Sequence, residues 1–417
     1  MYRLPLNISF ELTNSCNNSC SHCYASTWIN TISRNRSNAL KVAENLASYD
    51  IFDVILTGGE PLLTPLDELC RVINIFLDRS ISLSLNTNGR LLSKNTCKEL
   101  RKHNLISILI SLHSWDNVLH DRITNSTGAA DETKHGIVNA IEAGFFVTVN
   151  QVINRQNIHT MYETAINLEK LGVDAVAMTR FIPPLECYSS VEPVGVEEFI
   201  DEFVRCKSSL GIPCNSLLPF CYCSDDRVEQ ETLGLNCSGG IYSAAVSSRG
   251  DVRMCVHDTK IWGNIFEENL ELIWRRLSEW RREIGLPNDC TKCVYLPDCM
   301  GGCRVDGKYH TGKYNGMDSW AKRPRKDISR KTIYYKMRID IPHLLSPNLR
   351  YRTEKQDCYL IFGNSKSMVV NQDGLELINR LPRKFVPNEI IKRGGENANL
   401  IKTFLEDLHK RMFIVEI

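Results

Sequence analysis

The chain has 417 residues, of which 43% are hydrophobic and 24% are charged, and its formal net charge is +1 at pH 7. This length exceeds one average domain and predicts two or three, while the balanced charge argues against bulk nucleic-acid or membrane affinity. The N-terminus lacks a signal-peptide core and no apolar stretch is long enough to span a bilayer, so we expect a cytoplasmic protein.

Seventeen cysteines in such a chain indicate metal or redox chemistry in a reducing compartment rather than a disulfide framework. The first predicted strand, 8–13, leads into a loop with Cys16, Cys20 and Cys23 in a CxxxCxxC pattern. Cysteine thiolates are the usual ligands of 4Fe–4S clusters, and three of them would leave one iron open to a small molecule. A zinc site, which usually takes two cysteine pairs or a cysteine–histidine mixture, is the alternative, as are three reduced thiols.

The second predicted strand, 53–57, ends in Gly58, Gly59, Glu60 and a proline. A glycine pair followed by an acid and a proline predicts a loop at the carboxyl end of the strand. We expect the glycines to permit close backbone approach to a ligand and the carboxylate to bind an ammonium group.

The three-cysteine loop and the Gly-Gly-Glu strand end together resemble the radical S-adenosylmethionine (SAM) superfamily. The resemblance implies that Cys16, Cys20 and Cys23 bind a 4Fe–4S cluster and that the strand end at 58–60 binds the amino group of SAM. It also implies that His22 packs near the adenine.

Residues 8–183 alternate strands and helices, which indicates an α/β fold of parallel strands with helices packed outside. Six such units fit a partial barrel whose site opens at the carboxyl ends of the strands, and the radical SAM fold is such a partial (β/α)6 barrel. The predicted strands are 8–13, 53–57, 82–86, 106–112, 146–152 and 175–181, and the predicted helices are 38–49, 65–77, 93–102, 133–143 and 158–171.

Polar residues end most of these strands. Ser111 and Asn150 are our candidates for contacts with the ribose or carboxylate of SAM, because related enzymes place polar contacts there. Each strand-end residue is also explained as a helix cap or turn residue. The other candidates are Asn86, Asn88, His113, Gln151 and Arg180.

Cysteines crowd together again after Pro183, where the alternation stops. A Cys-x12-Gly-x4-Cys pattern is followed by a Cys-x2-Cys-x5-Cys-x3-Cys pattern, and pairs of this kind can also hold zinc. The two-part pattern resembles the SPASM domain, an extension of radical SAM enzymes that carries auxiliary 4Fe–4S clusters. By this resemblance, the inner auxiliary cluster binds Cys237, Cys255 and Cys303, and the outer one binds Cys290, Cys293 and Cys299.

The fourth ligand of each auxiliary cluster stays open. Cys221 or Cys223 are candidates for the inner cluster, and Asp318, the distant Cys358 or an open iron for the outer one. The other cysteines match no pattern and are expected to be free thiols: Cys70, Cys97, Cys187, Cys206 and Cys214.

The segment 304–355 is basic, with fourteen Lys or Arg against five Asp or Glu. A solvated linker explains it, and a landing zone for an acidic peptide or a nucleic acid is the alternative. The following residues predict a hairpin at 358–370 and helices at 375–381 and 401–412. This order resembles the PqqD-like recognition element, a small α+β winged-helix module that adds a leader-peptide strand to its sheet edge; a plain α/β tail is the alternative.

We therefore predict a radical SAM partial barrel at 1–210, a SPASM-type domain with the basic linker at 211–348 and a PqqD-like domain at 349–417. The resemblance implies cleavage of SAM to a 5′-deoxyadenosyl radical, hydrogen abstraction from a ribosomally made precursor peptide with a leader, and an oxidative crosslink such as a thioether, C–C or C–O bond. It also implies a reductant such as flavodoxin or ferredoxin, with no membrane partner and no nucleic acid.

Four alternatives remain: a sulfatase-type protein maturase, an RNA-modifying radical SAM enzyme, a zinc-stabilised scaffold without catalysis, and an epimerase. Epimerisation needs a hydrogen-donating thiol, for which Cys187 or Cys358 are available. The catalytic acid or base is not identified, and Arg180, Glu186 and Asp318 are suggested by position only.

Overall fold

The computed structural model describes residues 2–29, 38–185, 190–231, 233, 236–322, 337–347, 349–363 and 366–417. Contacts divide the chain into two compact units, residues 3–328 and residues 329–417. The division into three domains at residues 210 and 348 stays a prediction. In the part of the chain that the structure describes, no helix is both long and apolar enough to cross a membrane.

The first part of the first unit alternates strands and helices, as the sequence predicts. The strands are β1 (Asn7–Thr13), β2 (Asp53–Gly58), β3 (Ser82–Thr87), β4 (Ser107–Ser111), β5 (Phe146–Ile153), β6 (Ala175–Arg180) and β7 (Cys214–Asn215). The helices are α1 (Ala39–Leu46), α2 (Leu66–Leu77), α3 (Lys94–Lys102), α4 (Asn117–Thr124), α5 (Ala129–Glu142), α6 (Met161–Leu171) and α7 (Val196–Ser209).

Strands β1 to β7 are parallel to their neighbours, and helices cover them. All six residues of β6 are buried, which is typical of a central strand in a sheet covered on both faces. In α2 the buried residues Leu69, Val72, Ile73 and Phe76 follow the i, i+3, i+4, i+7 spacing of one helix face. The predicted α/β partial barrel is thereby confirmed.

Helix α4 is an element that the sequence analysis did not predict. It has only eight residues, too few for a clear periodic pattern, and the predicted helix at 133–143 corresponds to α5. The Asp116 carboxylate accepts a hydrogen bond from the Leu119 N–H at 2.9 Å and so caps α4. Asn125, in the left-handed conformation, ends it.

The second cysteine region continues the same sheet. Its elements are α8 (Arg227–Gln230), β8 (Ser243–Ser247), β9 (Asp251–Arg253), β10 (Ile261–Asn264), α9 (Leu270–Arg282), α10 (Leu296–Cys299) and α11 (Arg304–Thr311). Strand β8 pairs in parallel with β1, and β9 and β10 follow antiparallel, giving the order β10-β9-β8-β1-β2-β3-β4-β5-β6-β7. Strand β1 is therefore an interior strand, flanked by β2 and β8.

The described residues of the second unit form two small antiparallel sheets and three α-helices. Its elements are β11 (His343–Leu345), β12 (Arg350–Lys355), β13 (Cys358–Gly363), β14 (Lys366–Val370), α12 (Gln372–Arg380), β15 (Lys384–Phe385), α13 (Pro387–Arg393), α14 (Ala398–Lys410) and β16 (Ile414–Glu416). The sheet orders are β12-β13-β14 and β15-β11-β16. The predicted hairpin corresponds to β13 and β14, although the turn residue Asn364 lies outside the described residues.

Candidate active site

A cavity of about 660 Å³ is bounded by the inner face of β1 to β6 and by the loops that follow these strands. The predicted ligands of the first cluster and those of the inner auxiliary cluster meet there, because the loop after β1 and the second cysteine region reach the same space. The cysteines that line it are Cys16, Cys20, Cys23, Cys237, Cys255 and Cys303.

The loop with the first three cysteines is fixed from one side by the end of α4. The backbone N–H groups of Ser19 and Ser21 donate to the carbonyl oxygens of Thr124 at 3.1 Å and Ile123 at 2.9 Å. These bonds satisfy carbonyl groups that a helix end leaves without internal partners. The unpredicted helix α4 therefore positions the cysteine loop.

Arg90 fixes the same loop from the other side. Its guanidinium donates to the Asn17 carbonyl oxygen at 2.7 Å and to Asn18 Oδ1 at 2.6 Å, and it is paired with Glu132 at 2.5 Å. Asn88, one of the predicted strand-end residues, donates from Nδ2 to Asn17 Oδ1 at 2.7 Å. Two chain segments thus clamp the backbone between Cys16 and Cys20.

Gly58 and Gly59 let β2 approach the start of the cysteine loop. Gly58 has a φ of +130°, and an added Cβ at Gly59 would overlap the Ser15 carbonyl oxygen. The Gly59 and Glu60 N–H groups donate to the carbonyl oxygens of Thr13 at 2.7 Å and Ser15 at 2.8 Å. Both glycines also line the cavity, but the close approach that requires them is to the chain itself.

Glu60 is fully buried, and its carboxylate is held by the chain rather than turned to the cavity. Oε1 accepts from the Leu62 N–H at 3.0 Å and the Thr87 hydroxyl at 2.7 Å, and Oε2 accepts from the Asn88 N–H at 2.8 Å. The carboxylate therefore joins the ends of β2 and β3. The expected contact of this carboxylate with an ammonium group stays a prediction that this geometry does not favour.

The three thiols of the first loop fit the cluster that the sequence predicts. Burial, and next the charges of Cys23 and Cys16, raise the pKa of Cys20 far above its ordinary value. Three thiolates in one buried place repel one another unless a cationic centre compensates them, and iron in a 4Fe–4S cluster is such a centre. The donor set is all sulfur, which suits iron–sulfur ligation.

His22 lines the cavity at the position predicted to face the adenine. Its ring lies 4.3 Å from that of His113, edge to face, and the His113 ring stacks on His120 at 5.5 Å. Burial lowers the pKa of His22 and of His120 to about 4, so both imidazoles are neutral at pH 7. This wall of the cavity is therefore aromatic and uncharged.

Ser111 and Asn150 are paired residues of β4 and β5 and both line the cavity. Asn150 Oδ1 accepts from the Thr179 hydroxyl at 2.7 Å. Of the other strand-end candidates, Gln151 points the other way and bonds to the Met161 carbonyl oxygen. The remaining four line the cavity: Asn86, Asn88, His113 and Arg180.

Cys237, Cys255 and Cys303 form the inner auxiliary set. Burial, and next the charge of Asp258 and those of the other two thiols, raise the pKa of Cys255. The fully buried Arg281 lies against Cys237. Among the described residues that line this cavity, the inner set has no fourth cysteine.

A second, smaller cavity holds the outer auxiliary set. The Cys221 thiol is hydrogen-bonded to Cys299. Burial raises the pKa of Cys223, which lies close enough to Cys293 and Cys299 that their charges raise it further. The expectation that Cys221 or Cys223 completes the inner cluster is therefore not supported, because both lie with the outer set. The cysteines that line the cavity are Cys221, Cys223, Cys290, Cys293 and Cys299.

Asp318 does not line the outer cavity, so the structure does not support it as a ligand there. Its carboxylate forms a buried, two-bond ion pair with Arg180, at 2.9 and 2.5 Å, and accepts from the N–H of Cys303 at 2.7 Å and of Trp320 at 2.9 Å. The Arg180 guanidinium also lies over the Trp320 ring. This pair joins the end of β6 to the inner auxiliary set and leaves neither group available as an acid or base.

The remaining candidates need less comment. Cys358 lies on β13 of the second unit, and its role as a ligand stays a prediction. Glu186 and Cys187 lie outside the described residues. The free thiols expected of the other unmatched cysteines agree with their positions in or against the core: Cys70, Cys97, Cys206 and Cys214.

The sequence analysis missed four residues that shape the site: Asn18, Tyr24, Arg90 and His257. Tyr24 and His257 face each other across the cavity wall, with ring centroids 4.7 Å apart. The Nδ1 atom of His257 is buried and has no hydrogen-bond partner among the described residues. Asn18, Tyr24 and His257 each lie within two residues of a predicted ligand, which is the signal that could have found them; Arg90 gave none.

Two family models match the chain. The radical SAM superfamily model matches residues 10–167, and the SPASM iron–sulfur cluster-binding domain model matches residues 237–294. The AdoMet-dependent heme synthase of Methanosarcina barkeri is 25% identical over 335 residues, which cover 75% of this chain and 95% of that protein.

The antilisterial bacteriocin subtilosin biosynthesis protein AlbA of Bacillus subtilis is 26% identical over 342 residues, covering 77% of this chain and 72% of that protein. Among solved structures, Streptococcus suis SuiB bound to precursor peptide SuiA matches with a TM-score of 0.60 and 17% identity, covering 77% of this chain and 76% of that one. The likeness to SuiB shows the fold.

Proposed function

We propose that this chain, a radical SAM enzyme with a SPASM domain, forms an oxidative crosslink in a ribosomally made precursor peptide. The observation that carries the proposal is that the first three cysteines and the inner auxiliary set line one cavity. A substrate in that cavity lies within reach of both the radical source and an electron acceptor, which is what net removal of two hydrogens requires.

A 4Fe–4S cluster and SAM, when bound, would supply the radical chemistry by reductive cleavage of SAM to a 5′-deoxyadenosyl radical. The protein holds and orients the reactants. Cys16, Cys20 and Cys23 would hold the cluster, and Ser111 and Asn150, which line the same cavity, would contact SAM. His22 and its histidine neighbours form an uncharged aromatic wall, which would help to keep water from the reacting atoms.

The lining of the cavity favours a peptide over a substrate rich in carboxylates. Arg180 is the one Lys or Arg among the described lining residues, and Asp318 already neutralises it. A tetrapyrrole such as that handled by a heme synthase carries carboxylates that need free cations, and the lining that the structure describes offers no unpaired Lys or Arg. The described lining exposes more apolar than polar surface, and hydroxyl and amide groups are the most numerous of its polar side chains, a combination that suits a peptide.

The second unit is proposed to bind the leader of the precursor peptide. The sheet β12-β13-β14 is followed by α12, α13 and α14, in the order of the PqqD-like element. Within the described residues, β12 and β14 are the edges of that sheet. An edge strand offers unpaired backbone groups to an extended peptide and demands little of its side chains.

We further propose two auxiliary clusters with different ligand sets. The inner one has three cysteines from the described residues and so leaves a position for a substrate thiol. For the outer one we assign Cys221 as the fourth ligand, because it is buried and contacts Cys299, whereas Cys223 is partly exposed and donates to the Lys322 carbonyl oxygen. Flavodoxin or ferredoxin would supply the electron.

Iron analysis tests the outer ligand set. Replacing Cys221 by alanine should lower the iron of the reconstituted protein by one cluster, about four atoms per chain, while Cys223→Ala keeps it. The electron paramagnetic resonance spectrum of the reduced protein should lose one component in the first variant only. If Cys223→Ala loses this iron and Cys221→Ala keeps it, Cys223 and not Cys221 is the fourth ligand.

The decisive experiment for the function uses any short peptide that is encoded beside the gene. The anaerobically reconstituted protein is given SAM, a reductant and that peptide, and the peptide mass and 5′-deoxyadenosine are measured. Loss of two hydrogens, with a crosslink located by fragmentation, supports the proposal. An unchanged mass with deuterium uptake from solvent would indicate epimerisation instead.

Two variants separate the parts of the mechanism. Cys16→Ala should abolish 5′-deoxyadenosine formation, and persistence of that product would contradict the cluster assignment. Cys255→Ala should keep 5′-deoxyadenosine formation but lose the crosslink. Turnover of a carboxylate-rich tetrapyrrole, with no change in any peptide, would favour the heme-synthase type of reaction.

A further inference from the structure

A group of three potential metal ligands lies in the second unit and contains none of the cysteines described above. His343 is on β11, His409 is near the end of α14 and Glu416 is on the last strand, β16. One ligand atom from each lies within 4.8 Å of the other two. Two imidazoles and a carboxylate are a common three-residue set for zinc.

His343 is fully buried, and its two ring nitrogens have different surroundings. Nδ1 lies 3.0 Å from the Ile341 carbonyl oxygen, which can only accept, so Nδ1 carries the hydrogen. In the neutral ring, Nε2 then presents a lone pair. This atom is buried and has no hydrogen-bond partner among the described residues, although it faces the other two members of the group.

The two partners of His343 complete the arrangement. His409 Nε2 lies 3.7 Å and His343 Nε2 4.0 Å from Glu416 Oε1, which is close but too long for hydrogen bonds. Arg338 fixes the carboxylate by donating its guanidinium to Oε2, at 2.6 and 2.8 Å, and its N–H to Oε1 at 3.1 Å. Oε1 keeps a second lone pair toward the histidines.

We propose that His343, His409 and Glu416 form a zinc site. An ion between them satisfies the buried Nε2 lone pair, and small movements bring all three atoms to the roughly 2.0–2.2 Å that zinc requires. The carbonyl bond to His343 Nδ1 orients the ring, as outer partners of zinc-bound histidines usually do. His409 and Glu416 are partly exposed, which leaves the fourth position to water.

The site ties together elements that are distant in sequence. Strand β11 pairs with β16, and both hold a ligand, while the third ligand comes from the helix that precedes β16. Binding of zinc to this folded arrangement stabilises the second unit by mass action. This role is independent of the proposed peptide modification.

The test uses the full-length, anaerobically reconstituted protein, dialysed against zinc chloride. Zinc per chain is measured, and X-ray absorption at the zinc edge identifies the bound atoms. We expect one zinc with a nitrogen and oxygen shell at about 2.0–2.1 Å, lost in His409→Gln and in Glu416→Gln. His135→Gln, which changes an exposed histidine of the first unit, should keep it.

Three results would overturn the proposal: wild type without zinc, a sulfur shell at about 2.3 Å, or full zinc in both variants. The sulfur shell would place zinc in the cysteine sites. Both changed residues are partly exposed, so the variants should fold, and protease resistance of the second unit without added zinc shows whether they do. A zinc-dependent gain in that resistance should occur in wild type and in His135→Gln only.

Discussion

Gly59 illustrates how a single residue controls the first cysteine loop. Replacing it by alanine sets a methyl group against the Ser15 carbonyl oxygen, one residue before Cys16. We expect Gly59→Ala to lose the iron of the first cluster and at least 90% of 5′-deoxyadenosine formation, because such a clash costs on the order of 1–3 kcal/mol. Iron content and product formation measure this.

Gly195→Ala is the matched control for this change. An added Cβ at Gly195 meets no atom within 4 Å, and its φ is negative. Normal iron and product in this variant would show that loss of glycine alone is harmless. Equal iron in the Gly59→Ala variant and wild type would show that the loop tolerates the displacement.

His120 predicts an acid sensitivity of the folded protein. Burial lowers its pKa to about 4 from an ordinary value of 6.5, so the unfolded chain binds more protons than the folded one between these values. Stability is therefore lost as the pH falls, by about 1 kcal/mol between pH 7.5 and 5.5. His120→Asn, whose side chain can still accept from the His113 N–H, should show a smaller fall in melting temperature over this interval.

The result is read from the difference between the two pH profiles. A constant offset between wild type and the variant, with the same slope, would mean that His120 is not responsible. His120 is not one of the proposed metal ligands, so the His120→Asn change does not remove a ligand of any cluster.

At the scale of elements, the Arg180–Asp318 pair connects β6 with the segment after α11. Breaking it deprives a buried guanidinium of its hydrogen-bonded counter-charge, which costs about 3 kcal/mol. Asp318→Asn should therefore lower the melting temperature clearly. The double variant Arg180→Met, Asp318→Leu should cost less, because neither partner of the pair is left as an uncompensated buried charge.

These two variants also test how the inner auxiliary set is positioned. Asp318 accepts from the Cys303 N–H, so Asp318→Asn should also perturb the spectrum of the inner cluster. An unchanged melting temperature and spectrum would show that the pair is dispensable. Anaerobic calorimetry and electron paramagnetic resonance provide the two measurements.

The elements that the sequence predicted well are those with strong local patterns. Buried runs such as β6 and spaced cysteines carry their own signal, and the α/β barrel is confirmed where predicted. Helix α4 has too few residues for a periodic signal. The grouping of Cys221 with Cys299 could not be predicted, because it depends on how a loop before the cysteine run folds back on it.

The Glu60 side chain shows a second kind of limit. A motif gives the type of residue and its place at a strand end, but not the direction of its side chain. Here three donors, from Leu62, Thr87 and Asn88, draw the carboxylate into the protein. Side chains that meet only in the folded chain, such as Arg90 and the cysteine loop, have no signal in a single sequence.

At the scale of the whole molecule, the two compact units predict separable functions. A chain that ends at residue 328 retains all the cysteines named as ligands in the first unit. It should form 5′-deoxyadenosine without peptide at the wild-type rate, and it should bind the precursor peptide at least tenfold more weakly. Fluorescence anisotropy of a labelled peptide measures the affinity.

A leader-independent enzyme would give the opposite result. Unchanged affinity and crosslinking by the shortened chain would favour the sulfatase-type maturase. A leaderless peptide serves as the control, since its weak binding should not depend on the second unit.

The position of β1 between β2 and β8 has a consequence for biosynthesis. Asn7 pairs with Ser243, so β1 leaves the ribosome well before the strand that becomes its second neighbour. At the usual rates of synthesis this delay is on the order of tens of seconds. The cysteine loop that follows β1 therefore spends this interval beside a strand with one sheet neighbour, and we expect its three thiols to need a reducing environment until β8 has been made.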